Sequence, residues 1–261
     1  VLNPEDDGSG FFTNMIYGIS DALAGTAYHL VVTPYSLEDP MAPIRYIAET
    51  HSADGIIISR IAPDDPRVRY LSEANIPFAT HGRTAMGIDH CFYDFDNSAY
   101  VREAVRLLRQ RGRNTAVLFG PPSNLAYAQH AVDGFKDGLA ACGMKGRLVA
   151  AANSDSGPHL LRAVARDLAA SADRPDGVIC TSAAEAIAVA SGFRDSGMEM
   201  GRDYDLVAKP VSELVKLALP QLIGIHEDHR EAGRELARVL MARISGEDIA
   251  GLQKVVAPTP V

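Results

Sequence analysis

The stretch His226-Glu227-Asp228-His229 sets two imidazoles and two carboxylates side by side. Such groups bind divalent metals, and imidazoles three residues apart could reach one ion from a helix. The run instead leaves an apolar segment, Leu222–Ile225, and enters a helical one, and it is not H-E-x-x-H. Asp228 reads better as the N-cap of that helix. A second corner, Gly120-Pro121-Pro122, follows the apolar run Thr115–Phe119 and precedes a helical pattern. Phosphate-binding loops sit at such places. Two prolines, however, remove two N–H donors, so this corner cannot cradle a phosphate with its backbone and serves as a rigid turn. G-x-G-x-x-G, G-x-x-x-x-G-K-[ST] and G-x-S-x-G are all absent, and His81 and His90 flank a loop with no nucleophile. No catalytic, metal or cofactor constellation emerges, and the chain does not read as an enzyme.

These residues need elements to hold them. Short β-rich runs recur at Leu30–Thr33, Gly55–Ser59, Pro77–Thr80, Thr115–Phe119, Arg147–Ala151, Gly177–Thr181, Asp205–Ala208, Leu222–Ile225 and Leu252–Val256, and Val1-Leu2 would end one more. Several are apolar throughout, as strands covered on both faces are. Helical periodicity fills the gaps. Val101, Ala104, Val105 and Leu108 fall at i, i+3, i+4 and i+7, with Asp96, Asn97 or Ser98 as N-cap and Gly112 past the end. Ala128, Val132, Phe135 and Leu139 mark the next helix. Leu161, Val164, Ala165 and Leu168 mark another, opened by Pro158. Leu236, Val239 and Leu240 mark the last, stopped by Gly246.

Strand–helix alternation on this scale predicts right-handed βαβ units and parallel sheets. The strands are too many for one comfortable sheet in 261 residues, so the expectation is two similar doubly wound α/β lobes of about five strands each, with a hinge cleft between them. The break falls in the polar–aromatic stretch Gly87–Asn97. Ligands bind outside the carboxyl ends of parallel strands, which places site residues in the strand-to-helix loops.

Composition narrows the function. A net charge of −8 argues against this chain gripping a nucleic-acid backbone by itself. Cys91, Cys142 and Cys180 form no C-x-x-C pair and read as core residues of a reducing compartment. No run approaches the ~18 apolar residues of a membrane helix. The opening "VLNPEDDGSGFF" has neither the basic nor the apolar region of a signal peptide. Val1 begins inside an apolar run with no Met before it, which reads as a trimmed start with an upstream segment missing.

Several motifs, in order, resemble the effector-binding core of the lactose-repressor/galactose-repressor family of bacterial transcription regulators. They are Asp54–Ser59 ("DGIIIS"), Leu71–Arg83 ("LSEANIPFATHGR"), Asp94–Tyr100 ("DFDNSAY"), the Gly-Pro-Pro corner with its "GF", Ser154–Gly157, Asp176–Thr181 and the closing "LIGIHEDHREAGRELARVLMARISGE". The likeness covers essentially the whole chain. It implies a periplasmic-binding-protein-like core, with 1–94 and 227–250 in the N-terminal lobe and 95–226 and 251–261 in the C-terminal lobe. It also implies a cytoplasmic homodimer that binds a small effector, a carbohydrate first, and reads operator DNA through a helix-turn-helix headpiece absent from this chain. The alternative on the same architecture is an exported solute-binding protein for sugar uptake.

The resemblance points to effector contacts at Phe11, Phe12 and Ser59, and to His81 and Arg83 in "THGR". Tyr127, Gln129, Asn153, Lys209 and Glu227 complete the set. Several of the family's polar anchors are replaced here. Ala131 stands where relatives carry Arg, Ala183-Ala184 where they carry "ND", Gly82 where they carry Asp, and "AKPVSE" where they carry "GFDD". Lys209 could therefore meet a hydroxyl pair, an acidic sugar or its acidic neighbour Glu227.

Overall fold

The computed structural model describes residues 10–33, 39–210 and 212–260. They form two α/β units. Unit 1 gathers the described residues up to Phe95, with Asn124–Ala126 and Asp228–Val256; unit 2 comprises Asp96–Ser123, Tyr127–Glu227 and the residues from Ala257.

Unit 1 has a four-stranded parallel sheet in the order β1 (Ile56–Ile58), β2 (Phe78–His81), β3 (Cys91–Phe95), β9 (Gln253–Val256). Helices α1 (Phe11–Leu23), α2 (Ala42–Thr50), α3 (Pro66–Glu73) and α9 (His229–Ile244) belong to the same unit. One core cluster joins α1, β2, β3 and α9 through Phe12, Met15, Ile19, Tyr93 and Leu236; another gathers Ile44, Ile58, Val68 and Leu71. Asp228 caps α9 by accepting from the Glu231 N–H at 2.9 Å, as the sequence predicts.

Unit 2 has six strands in the order β10 (Thr259–Pro260), β8 (Ile223–His226), β7 (Asp205–Ala208), β6 (Gly177–Cys180), β4 (Thr115–Phe119), β5 (Lys145–Leu148). All pair parallel except β10, which runs antiparallel to β8. The helices are α4 (Asn97–Gln110), α5 (Ala126–Cys142), α6 (Pro158–Ala170), α7 (Ala183–Asp195) and α8 (Glu213–Ala218), α5 starting on the last residue grouped with unit 1. Every residue of β6 and β7 is buried, which explains the apolar run of β6 and of Leu206–Ala208 in β7; Asp205, which opens β7, is buried in an ion pair with Arg113. Asp96 is the N-cap of α4, accepting from the Ala99 N–H at 2.8 Å.

Four expectations change. Leu30–Thr33 pairs with no strand among the described residues, and Val31 is 75% exposed. The fifth strand runs Lys145–Leu148, earlier than Arg147–Ala151. Cys91–Phe95, inside the stretch read as a break, is a strand, and the chain changes unit after Phe95. Residues 251–256 do not go with the second lobe: β9 pairs with β3 in unit 1, and only the residues from Ala257 group with unit 2. The strand tail expected at Val1-Leu2 lies outside the described residues.

Helices α1 and α9 touch backbone to backbone. A Cβ on Gly18 would lie 1.9 Å from the Arg230 carbonyl oxygen, and one on Gly233 2.1 Å from that of Met15. The reciprocal pair leaves no room for a methyl on either helix. It draws the helix starts together, so that Phe11 on α1 meets His229 on α9 with ring centroids 4.7 Å apart. Replacing Gly233 with Val is expected to destabilise the fold by about 1–3 kcal/mol or more, since backbone must move and not merely a side chain. Urea unfolding measures this, with Gly251→Ala, a site with open space around it, as the silent control.

Candidate functional site

The carboxyl ends of the parallel strands carry polar and aromatic side chains in both units. In unit 1, β1 runs into Ser59 and Arg60. Arg60 has φ +55°, a left-handed conformation rare for a side chain of its size, and its carbonyl accepts from Arg67 Nη2 at 2.9 Å. The buried Arg67 guanidinium also reaches the Ser59 carbonyl at 3.2 Å and both oxygens of Asp65. Burial pushes the Asp65 carboxyl up, but the Arg67 guanidinium and the N–H groups of Ala62 and Arg67 outweigh it and hold Asp65 below the usual range. The loop after β1 is thereby fixed before any ligand arrives.

β2 ends at His81. Its ring stacks over Tyr93 at 6.2 Å and meets Phe11 edge-on at 5.2 Å. Gly82 follows with φ +100°, which a side chain would strain, and its N–H donates to the Tyr93 carbonyl at 2.9 Å. That turn presents Arg83, whose Nε lies 3.1 Å from the buried Asp94 carboxylate while its side chain stays 40% exposed. Phe11, His81, His229 and Arg83 therefore share one end of unit 1. Phe12 does not join them: its ring packs in the core with Met15 and Ile19.

In unit 2, β7 ends beside Lys209 and β8 beside Glu227. Both side chains are buried, and the Lys209 ammonium donates to Glu227 Oε2 at 2.6 Å and to Asn97 Oδ1 at 2.8 Å. It also lies 4.8 Å from the centroid of the Tyr100 ring, whose hydroxyl donates to the Cys180 carbonyl at 2.6 Å. The acidic neighbour named for Lys209 is in place. Gln129 sits on the exposed face of α5 and donates to Asp133 at 2.7 Å, one turn along its own helix. Tyr127 is half-buried near the start of α5, and Asn153 closes a turn by accepting from the Asp155 N–H at 3.0 Å. The Gly120 carbonyl accepts from the Ser154 N–H at 3.0 Å, which ties the Gly-Pro-Pro corner to that turn.

Arg60 and Glu185 were not singled out from the sequence, and Asn97, Tyr100 and His229 were noted there only as a possible helix cap, the end of a motif and part of a possible metal motif. For Glu185 a signal was present: Ser182-x-x-Glu185 is a helix-start pattern, and Ser182 does cap α7 by accepting from the Glu185 N–H at 3.2 Å. Glu185 is fully buried. Its Oε2 accepts from the Thr181 N–H at 2.6 Å, while its Oε1 has no hydrogen-bond partner among the described residues. Burial pushes its carboxyl up to about 8 against the bonds from Thr181 and Ser182, with Asp155 adding to the rise. Near neutrality it is mostly a neutral acid. Among the described residues no three His, Cys, Asp or Glu side chains are placed to hold a metal ion.

The family described as periplasmic binding proteins and sugar binding domain of the LacI family matches residues 1–256. The HTH-type transcriptional regulator AglR of Rhizobium meliloti is 28% identical over 239 residues, 89% of this chain and 67% of that one. The regulator CelR of Thermobifida fusca is 26% identical over 241 residues, covering 91% and 70%. Among solved structures, the complex of transcriptional regulator CelR with cellobiose superposes with a TM-score of 0.85 at 24% identity, covering 97% of this chain and 78% of that one. A probable maltose operon transcriptional repressor, malR of a Staphylococcus, superposes with a TM-score of 0.86 at 16% identity, covering 98% and 92%.

The raised Glu185 carboxyl has a defined effect on stability. Its contribution is complete below the unfolded value of 4.5 and is lost as pH rises through about 8, because the folded state holds a proton that the unfolded chain has released. Glu185→Gln keeps the shape without the charge. Its melting temperature relative to wild type is expected to climb between about pH 5 and pH 8.5, followed by thermal denaturation; a constant offset would refute the assignment.

Proposed function

We propose that this chain, which belongs to the family of periplasmic binding proteins and LacI-type sugar-binding domains, is the ligand-sensing core of a DNA-binding transcription regulator. It takes a small carbohydrate at the carboxyl ends of its strands. Effector binding shifts the hinge between its lobes and changes the operator affinity of headpieces carried elsewhere in the full protein. A ligand can do this only through its differential affinity for the two states.

The observation that carries the carbohydrate reading is the arrangement at one end of unit 1. Phe11, backed edge-on by His81 and His229, offers an aromatic face for the C–H surface of a sugar ring, and Arg83 offers a planar fork for a hydroxyl pair. The CelR structure, which holds cellobiose, supports the substrate class. The regulator reading rests on AglR and CelR, both named HTH-type regulators and matched along most of this chain. The family description also covers periplasmic binding proteins, which keeps sugar uptake as the rival.

Calorimetric titration with cellobiose and other neutral disaccharides tests the ligand. One of them is expected to bind saturably and, at a hundred times its Kd, to stabilise the fold by about 2.7 kcal/mol. Phe11→Ala should weaken it about tenfold; the same variant should also lower the melting temperature of the free protein, since the ring packs on His81 and His229. If no neutral sugar binds, the reading of this surface fails. An intact native chain that binds no specific DNA, with or without ligand, would leave the uptake role standing.

A homodimer is part of this proposal, and unit 2 offers a face for it. Leu214 and Leu217 on α8 are 74% and 76% exposed, and Ile187 is exposed on the neighbouring α7. The intact protein should sediment as a dimer, and Leu214→Glu with Leu217→Glu should make it a monomer. An unchanged dimer in that double variant would put the interface elsewhere.

A further inference from the structure

Unit 2 holds a second cavity, at the opposite end from Lys209 and Glu227. It has a volume of about 390 Å³, within the range that small-molecule sites occupy. It lies where α7 ends at Arg194, where β7 is about to begin at Tyr204, and where the chain leaves α8 at Leu219. The strand ends of the candidate effector site are a full α7 length away, ~20 Å for a helix of this size.

The lining is chemically divided. Met198, Met200, Tyr204 and Leu219 supply an apolar wall, and the Tyr204 ring is itself backed by Phe193 at 4.4 Å. Two thioethers beside an aromatic ring favour an aromatic guest, since sulfur packs well against ring edges. The rim is polar. Glu199 there is occupied, 2.5 Å from the Arg202 guanidinium. Arg194 is different: its guanidinium makes a 3.4 Å contact to Ser191 Oγ, and among the described residues no carboxylate lies within 4.0 Å of it. A planar cation over an apolar, methionine-lined pocket matches an amphipathic anion, with the ring inside and the carboxylate on the fork.

We infer that the cavity between α7, the Gly197–Tyr204 turn and the end of α8 is a second small-molecule site, which takes a single-ring aromatic carboxylate with its anion on Arg194. Both α7 and β7 run from this cavity to the strand-end surface, α7 from Ser182 and β7 to Lys209, so a guest here bears on the elements that shape that surface. The inference does not depend on the identity of the effector.

The test uses protein labelled with 13C at methionine methyls, titrated with phenylacetate and with its neutral counterpart phenylacetamide. Phenylacetate is expected to shift the Met198 and Met200 methyl signals saturably and to bind about tenfold tighter than the amide. Arg194→Gln should abolish that difference while leaving amide binding in place. Ala218→Trp, at the mouth, should block both ligands; because Ala218 adjoins Leu217 of the proposed dimer face, sedimentation is measured alongside and the block should hold whether or not the assembly changes. No shift at these two methyls at millimolar phenylacetate would overturn the site. Equal affinity for acid and amide in the wild type would overturn the role of Arg194. Cellobiose titrated in parallel reports on the effector surface separately, so failure of one reading does not disguise failure of the other.

Discussion

An ammonium ion buried in the protein interior costs several kcal/mol to desolvate, and only close partners offset that cost. Lys209 meets this constraint with Glu227 and Asn97, under the ring of Tyr100. These residues come from the end of β7, the end of β8 and the first turn of α4, and the Tyr100 hydroxyl adds the end of β6 through the Cys180 carbonyl. One polar network therefore fixes the spacing of three strand ends and a helix start. Removing Lys209 would not simply free space; it would leave Glu227 buried without its counter-ion. The unit 2 surface inherits its shape from this pairing.

Unit 1 reaches the same end by other means. The buried Arg67 gathers two carbonyls and a carboxylate and holds Arg60 in its left-handed conformation. The glycine contact between α1 and α9 brings two helix starts side by side, and Phe11 and His229 follow from it. In neither unit does the strand-end surface rest on loop sequence alone. Each loop is held by a group buried beneath it, which is what positions side chains for binding.

Much of this was legible because it is local. Continuous apolar runs mark strands covered on both faces, and Asp96, Pro158 and Asp228 mark helix starts through chemistry confined to one turn. What was missed depends on distant pairing. Leu30–Thr33 has strand propensity but no partner among the described residues, whereas Cys91–Phe95 looks polar and aromatic yet gains parallel neighbours on both sides. The unit to which β9 belongs is set by β3, far away in sequence. Of the site residues, Phe11 and Phe12 were both expected at the ligand because they follow the first loop, but successive helical positions face different ways, and Phe12 packs in the core. Of the partners of Lys209, Glu227 was anticipated through the family resemblance, whereas Asn97, 112 residues away, follows no spacing rule.

The pairing also bears on which ligands the surface favours. The missing family anchors and the presence of Arg83 and Lys209 left an acidic sugar open. In the structure the fixed charges at the strand ends already have partners: Lys209 with Glu227, Arg83 beside Asp94, Asp65 with Arg67. Glu185 avoids charge altogether by staying protonated near neutrality. An anionic effector on Lys209 would have to displace Glu227 from its cation, and the displaced, buried carboxylate would bear the desolvation cost without compensation. A neutral carbohydrate asks for no such exchange. The carbohydrate proposed above would need only an aromatic face, which Phe11 offers in unit 1, and hydrogen-bonding groups whose charges are balanced in advance.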